Sequence, residues 1–288
     1  MRPDKIGLIA HTGKAGVAEL TRTLKAELER AGLTVLLEAD TAALAGLPSS
    51  LPVAELGRAA DLLVVLGGDG TILHLVGQLG TEIKPVFGIN IGRLGFLTCS
   101  NSSAYGEAVE CIAAGNMTFS ERSLLEVAVK TPGGDSSAMI GLNDVVLSRG
   151  EVSRLVRLQT SVNGEVLTEF SADGLVVATP TGSTAYSLSA GGPILAPDSG
   201  SFVITPICPH VLTNRSIIVD ESAVIEIKVT EREYPVFLTV DGREPLRIET
   251  GTTVTIKKSP RALLLASLPG VTFFGVVRQK LKWSGSNI

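Results

Sequence analysis

Four short apolar runs, at residues 6–10, 34–37, 62–66 and 86–89, punctuate the first third of the chain. Each is almost free of polar positions, the pattern of parallel strands buried on both faces. Between the first two runs the period lengthens. Leu20, Leu24 and Leu28 recur every four residues with Val17 and Ala31 on the same side, and Gly32 follows as a stop, so the segment predicts an amphipathic helix. Apolar positions Ile72, Leu73, Val76 and Leu79 predict a second helix after Gly70, and a third is expected from about residue 103 to 114. Strands alternating with helices imply an open parallel sheet, a Rossmann-like α/β arrangement.

Near residue 120 the pattern changes. Residues 1–120 hold 24 Val, Ile and Thr and 16 Ala, whereas residues 121–260 hold 42 and 8. β-branched residues suit pleated surfaces and Ala suits helices, so a β-rich, sandwich-like second domain is expected. Asn163-Gly164 and Asp241-Gly242, each flanked by alternating apolar residues, predict tight hairpins. The stretch 181–192 is too rich in small residues for a strand and opens with hydroxyls suited to capping, which predicts a short helix. The expected domains are 1–120 (α/β), 121–265 (β-rich) and a tail, 266–288, that packs back on the first domain, with 278–283 partly exposed.

Composition narrows the function. The chain has 288 residues, 25 Lys plus Arg against 29 Asp plus Glu, a net charge of −4 and 44% apolar residues, with a mean hydropathy of +0.34. This supports a folded core and gives no basic surface for nucleic acid. No apolar run approaches the roughly 18 to 20 residues of a membrane span, so neither membrane insertion nor export is expected. Three cysteines without Cys-x-x-Cys spacing argue against a disulfide framework or a structural zinc site and point to the cytoplasm.

Chemistry concentrates in three segments. The run at 62–66 leads into Gly67-Gly68-Asp69-Gly70-Thr71. Glycines admit phosphate oxygens close to the backbone, and the following helix N-terminus offers unpaired N–H groups, so Gly67, Gly68, Gly70 and Thr71 form a candidate phosphate loop. It lacks the Lys of a Walker A loop and the spacing of a dinucleotide fingerprint. A carboxylate among phosphates suits a bridging divalent cation or a proton acceptor; a Gly-Asp-Gly turn between strands is the alternative. In the second segment, 170–193, the hydroxyls of Thr179, Thr181, Ser183, Thr184 and Ser187 and the ring of Tyr186 suit a ribose, amide or base. In the third, Asn143 and Asp144 stand side by side ahead of a strand, able to grip a vicinal diol or simply to form a common turn.

Together these segments resemble the NAD kinase family, which moves a terminal phosphoryl group to the adenosine 2′-hydroxyl of NAD. The loop at 67–71 is shared with diacylglycerol-kinase-like and phosphofructokinase-like enzymes, whereas 173–193 behind it is specific, and 90–97 and 206–215 match as well. The resemblance covers nearly the whole chain. It implies an α/β domain plus a β-rich domain, NAD and ATP as substrates, and a divalent cation (Mg²⁺) bound through the nucleotide phosphates with no metal site of the protein's own. It also implies a homodimer or homotetramer. It makes Asp69 the general base and places NAD contacts at Asp69, Gly70, His74, Asn143, Asp144, Arg154, Ser171, Asp173, Thr184, Ala185, Tyr186, Ser187, Leu188 and Ser189.

Two positions depart from the family pattern. Asp144 replaces the more frequent Glu, one methylene shorter. Arg243 replaces a frequent Gln, putting a fixed cation where an amide is usual; it is counted among the dinucleotide contacts, with phosphate or a neighbouring subunit as other partners. His11, near Lys14, is read as part of a solvated loop, His210 as structural or interfacial, and all three cysteines as small buried residues. Two rival functions share these motifs: a lipid kinase with the same glycine loop, and a non-catalytic NAD-binding sensor.

Overall fold

The computed structural model describes residues 2–283 apart from 49, 93, 94, 135, 151–153, 212 and 232. Arg93 and Leu94 of the 90–97 match, Leu212 of the 206–215 match and the last five residues of the tail therefore lie outside the described residues. Two compact units emerge: Met1–Glu121 with Leu263–Ile288, and Arg122–Ala262. The expected boundaries at 120 and 265 thus fall at 121 and 262.

The first unit contains β1 (Lys5–Ala10), α1 (Val17–Arg30), β2 (Thr34–Leu37), α2 (Ala39–Ala45), α3 (Val53–Ala59) and β3 (Leu62–Gly67). α4 (Asp69–Leu79), β4 (Val86–Asn90), β5 (Ser100–Asn101) and α5 (Tyr105–Ala114) follow. The strands pair in parallel in the order β2-β1-β3-β4, with β5 added beside β4. β3 and β4 are buried along their whole length, as their unbroken apolar runs require. α1 buries Val17, Thr21, Leu24 and Leu28; the Thr21 hydroxyl, in the middle of that face, donates to the Val17 carbonyl at 2.7 Å and so costs no unmet hydrogen bond.

α2 and α3 escaped the periodicity because seven residues are two turns, too few to show a 3.6-residue repeat. Their starts are unconventional too. Glu38, not a short polar residue, caps α2, its carboxylate accepting from the N–H groups of Asp40 and Thr41 at 2.8 Å each. Pro52 precedes α3. The expected partly exposed tail at 278–283 is the end of a helix: residues 273–281 are helical, with Val276 and Val277 buried and the first turn capped by the Thr272 hydroxyl, while Arg278, Gln279, Lys282 and Trp283 are exposed.

The second unit is antiparallel. β6 (Thr118–Lys130), most of which lies in it, pairs with β7 (Ser136–Gly141). Next come β8 (Asp144–Arg149), β9 (Val156–Val162), β10 (Glu165–Ala172) and β11 (Gly174–Ala178), and then α6 (Tyr186–Ser189), a single turn. β12 (Ser201–Ile207), β13 (Ile217–Asp220), β14 (Ile225–Val229), β15 (Val236–Val240), β16 (Leu246–Ile248) and β17 (Thr253–Ser267) complete it, before α7 (Phe273–Leu281) of the first unit. One sheet runs β13-β12-β11-β8-β15-β16; facing it, β10, β9, β14 and the first part of β17 pair in that order. Both contribute to one core, with Leu147, Val177 and Ile204 from the first meeting Leu158, Phe170 and Ile227 from the second.

Both predicted hairpins form, with φ of 52° at Asn163 and 81° at Gly164, and of 53° at Asp241 and 66° at Gly242, the left-handed pair that a two-residue turn between twisted strands needs. The other face of the six-stranded sheet carries a smaller apolar cluster of Val146, Val176, Val203 and Leu195, against which Ala190 packs. The segment holding α6 is thereby laid across the ends of β8 and β11.

Leu24 is wholly buried in the first unit's core. Leu24→Ala is expected to lower stability by about 2 to 5 kcal/mol, read as a lower urea midpoint with an unchanged slope.

Candidate functional site

In the first unit a cleft of about 510 Å³ opens at the carboxyl ends of β1 and β3, where ligands of open α/β sheets bind. Gly68, Gly70, Thr71 and His74, all expected site residues, line it; Gly67 is buried in β3. The Thr71 hydroxyl accepts the Gly68 N–H at 3.3 Å, fixing the turn from which α4 starts. His11 is exposed in a loop, as expected, and from there it lines the cleft together with Lys14. Its Nδ1 accepts the Gly13 N–H at 3.0 Å, so the neutral ring carries its proton on Nε2. Lys14 spends one donor on the Ile91 carbonyl, 3.0 Å away.

Asp69 turns the other way. Its carboxylate accepts the N–H of Phe96 at 2.8 Å and of Leu97 at 3.0 Å, one on each oxygen. This arch is itself held, as the Thr98 hydroxyl accepts from Gly95 N–H at 2.9 Å and from the Asn90 amide at 3.2 Å. A β-carbon on Gly95 would overlap Asp69 Oδ1, so only glycine lets arch and carboxylate meet. Each oxygen keeps a further acceptor site. Lys280 of α7 stands 5.8 Å above the Phe96 ring.

The second unit gathers Asn143, Asp144 and the segment around α6 at one end of its six-stranded sheet. The chain at 142–144 is gripped from both sides. Asp241, its side chain without exposure, accepts the N–H of Leu142 at 2.8 Å, Asn143 at 2.7 Å and Asp144 at 3.1 Å. Opposite, the Thr179 hydroxyl donates to the Leu142 carbonyl at 2.6 Å and the Thr179 N–H to the Asn143 carbonyl at 2.9 Å. Gly182 lies so close that a β-carbon there would overlap the Asn143 carbonyl. Burial, and then the neighbouring charge of Asp241, push the Asp144 carboxyl up to about 7 against the backbone N–H of Tyr186, which favours its ionised form. Asp241 is raised by burial, opposed by its three N–H donors and by Arg243.

The hydroxyl run needs correction. Thr179, Thr181, Ser183 and Ser187 are buried and largely spent inside the protein: Ser183 donates to the Pro180 carbonyl at 2.6 Å and accepts from Leu195 N–H at 2.9 Å, and Ser187 pairs with Thr205 at 3.0 Å. They knit the 179–195 segment to the sheet and do not cap α6, which has no side-chain cap. Tyr186 and Ser189 are exposed, and Thr184, Ala185 and Leu188 are half-buried. Arg243 is engaged within the second unit. Its Nε donates to the Val240 carbonyl at 2.9 Å and its Nη2 to that of Ile140, so its place is to tie down the hairpin turn that carries Asp241.

Arg154, Ser171 and Asp173 lie elsewhere. Asp173 joins Arg149 through Nε at 2.8 Å, at the opposite end of β8 and β11 from Asp144. Strands of this length put the two groups roughly 17 Å apart. Arg154 and Ser171 line a separate cleft of about 720 Å³, the Arg154 guanidinium standing 5.9 Å from the Tyr234 ring centre. The exposed His210 donates its N–H to the Ser171 carbonyl at 2.9 Å. Cys99 and Cys111 are buried as expected, and Cys208 is exposed.

Arg149, Thr98 and Asp241 were missed as site-building residues. For Asp241 the signal was the Asp-Gly turn, which marked a hairpin but not the use of its carboxylate.

A cleft of about 510 Å³ at the head of a helix, a fixed carboxylate on that helix and a β-rich second unit bearing an amide–carboxylate pair define a small-molecule phosphotransferase. Family models of the ATP-NAD kinase N-terminal and C-terminal domains match residues 6–117 and 142–268. An NAD kinase of Solibacter usitatus is 38% identical over 96% of this chain and 96% of its own length. The crystal structure of yeast NADH kinase complexed with NADH superposes with a TM-score of 0.90 at 27% identity, covering 99% of this chain and 89% of that one. An NAD kinase from Archaeoglobus fulgidus in complex with ATP shares the fold, with a TM-score of 0.77 at 23% identity over 98% of this chain and 100% of that one. The chain belongs to the NAD kinase family.

Gly95→Ala is expected to push the Asp69 carboxylate off its arch and lower turnover roughly tenfold to a hundredfold, with circular dichroism and melting checking that the fold survives.

Proposed function

We propose that this chain transfers the terminal phosphoryl group of ATP to the adenosine 2′-hydroxyl of NAD, with Asp69 as proton acceptor. The observation that carries the reading is the placement of Asp69 on α4: it is the first residue of the helix whose N-terminal turn lines the cleft, and its carboxylate is aimed by Phe96 and Leu97. Donor phosphates in the cleft meet the helix N-terminus and the Lys14 ammonium, both of which favour anions. The 2′-oxygen attacks the terminal phosphorus, the bond to the bridging oxygen breaks, ADP leaves, and the 2′-hydroxyl proton passes to Asp69. Positioning and charge stabilisation supply most of the acceleration.

Mg²⁺ belongs to the same proposal, bound through the ATP phosphates, where it would neutralise part of their charge. In the second unit Asn143 and the Asp144 carboxylate grip ribose hydroxyls beside Tyr186, Thr184 and Ser189.

A homodimer or homotetramer belongs to the same proposal. Asn143 and Asp144 on the one hand, and Arg149 and Asp173 on the other, occupy opposite ends of one strand pair; a neighbouring copy supplying the second set would let one dinucleotide use both. A cytoplasmic location fits the three free cysteines; no helix among the described residues is long and apolar enough to cross a membrane. The lipid-kinase rival finds no support in the small hydroxylated segment at 179–195, and a non-catalytic sensor would leave the aimed carboxylate without a task.

The pure protein with ATP, Mg²⁺ and NAD is expected to form NADP, followed by a coupled dehydrogenase. Asp69→Asn keeps the shape of the side chain and removes its basicity, so kcat is expected to fall at least about a hundredfold while calorimetry finds NAD still bound. Near wild-type turnover in this variant would leave Asp69 a turn residue.

A further inference from the structure

We infer that Asp241 is a positioning residue for the dinucleotide, holding the 142–144 arch so that the Asn143 amide and the Asp144 carboxylate face one ligand together. This rests on the reading of Asn143 and Asp144 as the ribose grip. Asp241 itself has no exposed side-chain surface and touches no ligand.

The geometry is over-determined for a turn. A buried carboxylate needs hydrogen bonds, and one or two N–H groups from its own hairpin are the ordinary supply for an Asp in a turn. Asp241 instead reaches a segment 97 to 99 residues away in sequence and collects three consecutive N–H groups, two on Oδ1 and one on Oδ2. Three successive N–H groups turned towards one point curl the backbone into a concave arch, and that curl decides where the next side chains go. The carbonyls of Leu142 and Asn143 are taken by Thr179 and that of Asp144 by the Asp241 N–H, and Gly141, just before the arch, admits no β-carbon without touching Val240. The arch has one conformation, set by Asp241 on one side and by Thr179 and Gly182 on the other.

Charge adds a second link. The ionisable groups around Asp144 are Asp241 from the turn after β15 and, behind it, Arg243, 3.9 Å from Asp241; α6 presents only the Tyr186 N–H to it. Asp241 therefore does two things to Asp144: it fixes the backbone that carries it, and it makes ionisation of its carboxyl harder. An ionised Asp144 accepts ribose hydroxyls better than a protonated one, so NAD affinity falls as pH drops through about 7, the value to which Asp144 is pushed.

The test is NAD affinity by calorimetry between pH 5.5 and 8.5 for wild type, Asp241→Asn, Asp241→Ala and Asp144→Asn, with KM for ATP and melting temperature alongside. Asp241→Ala is expected to weaken NAD at least about tenfold and to leave KM for ATP within about twofold. Asp241→Asn keeps an acceptor for Asn143 and Asp144 but loses that of Leu142, so it recovers part of the affinity. It also removes the neighbouring charge, moving the acidic fall in affinity to lower pH. A merely structural Asp241 would lower the melting temperature in both variants and leave NAD affinity and its pH dependence as in wild type; that result overturns the inference. If Asp241→Ala fails to fold, the pH shift in Asp241→Asn decides alone. Asp144→Asn separates the two levels: unchanged NAD affinity there overturns the ribose-grip reading itself, whereas weakened affinity there with unaltered Asp241 variants overturns only the role of Asp241.

Discussion

In each unit of this protein a carboxylate is fixed by backbone N–H groups that converge on it, the partners such a group needs when it gives up bulk water. In the first unit Phe96 and Leu97 donate to Asp69; in the second Leu142, Asn143 and Asp144 donate to Asp241. In each case the acid and its donors come from distant parts of the chain. The bonds therefore act as long-range staples, and the loops they fasten are the ones that carry or aim the chemistry. In the function proposed above, Asp69 is the working group in its pair, whereas Asp241 stands behind the working groups in its own.

Glycine is the counterpart of these acids. Gly95 and Gly182 occupy places where any β-carbon would overlap Asp69 or the Asn143 carbonyl. Both are needed for closeness of approach, which a reading of glycines as flexible punctuation misses. The phosphate loop uses the same property for another end, leaving room beside the backbone for a ligand in place of a side chain.

The sheet of the first unit was legible because burial on both faces leaves strands no polar positions, and the runs at 34–37, 62–66 and 86–89 mark β2, β3 and β4 to within one residue. The hairpins were legible because a two-residue turn needs left-handed backbone, which Asn-Gly and Asp-Gly supply. What escaped notice is short or depends on contacts that sequence order does not show: α2 and α3, two turns each, and Thr98, Arg149 and Asp241, whose bonds reach Asn90, Asp173 and the 142–144 segment. The hydroxyl run misled for a physical reason. Ser and Thr side chains that could meet a sugar satisfy backbone groups equally well, and at Thr179, Ser183 and Ser187 burial settles the choice in favour of the protein. The family resemblance located the amide–carboxylate pair, which spacing alone could not separate from a common turn.

Every amide proton from residue 142 to 144 is already bonded within the fold. The entropy of ordering that segment is therefore lost when the chain folds, so a ligand held there as proposed would not have to order it. In hydrogen exchange these amides belong with the slow class of the sheet core, although they sit at a strand end where rapid exchange is the norm. The segment proposed to receive the ligand is thus one whose backbone donors are all spent inside the fold.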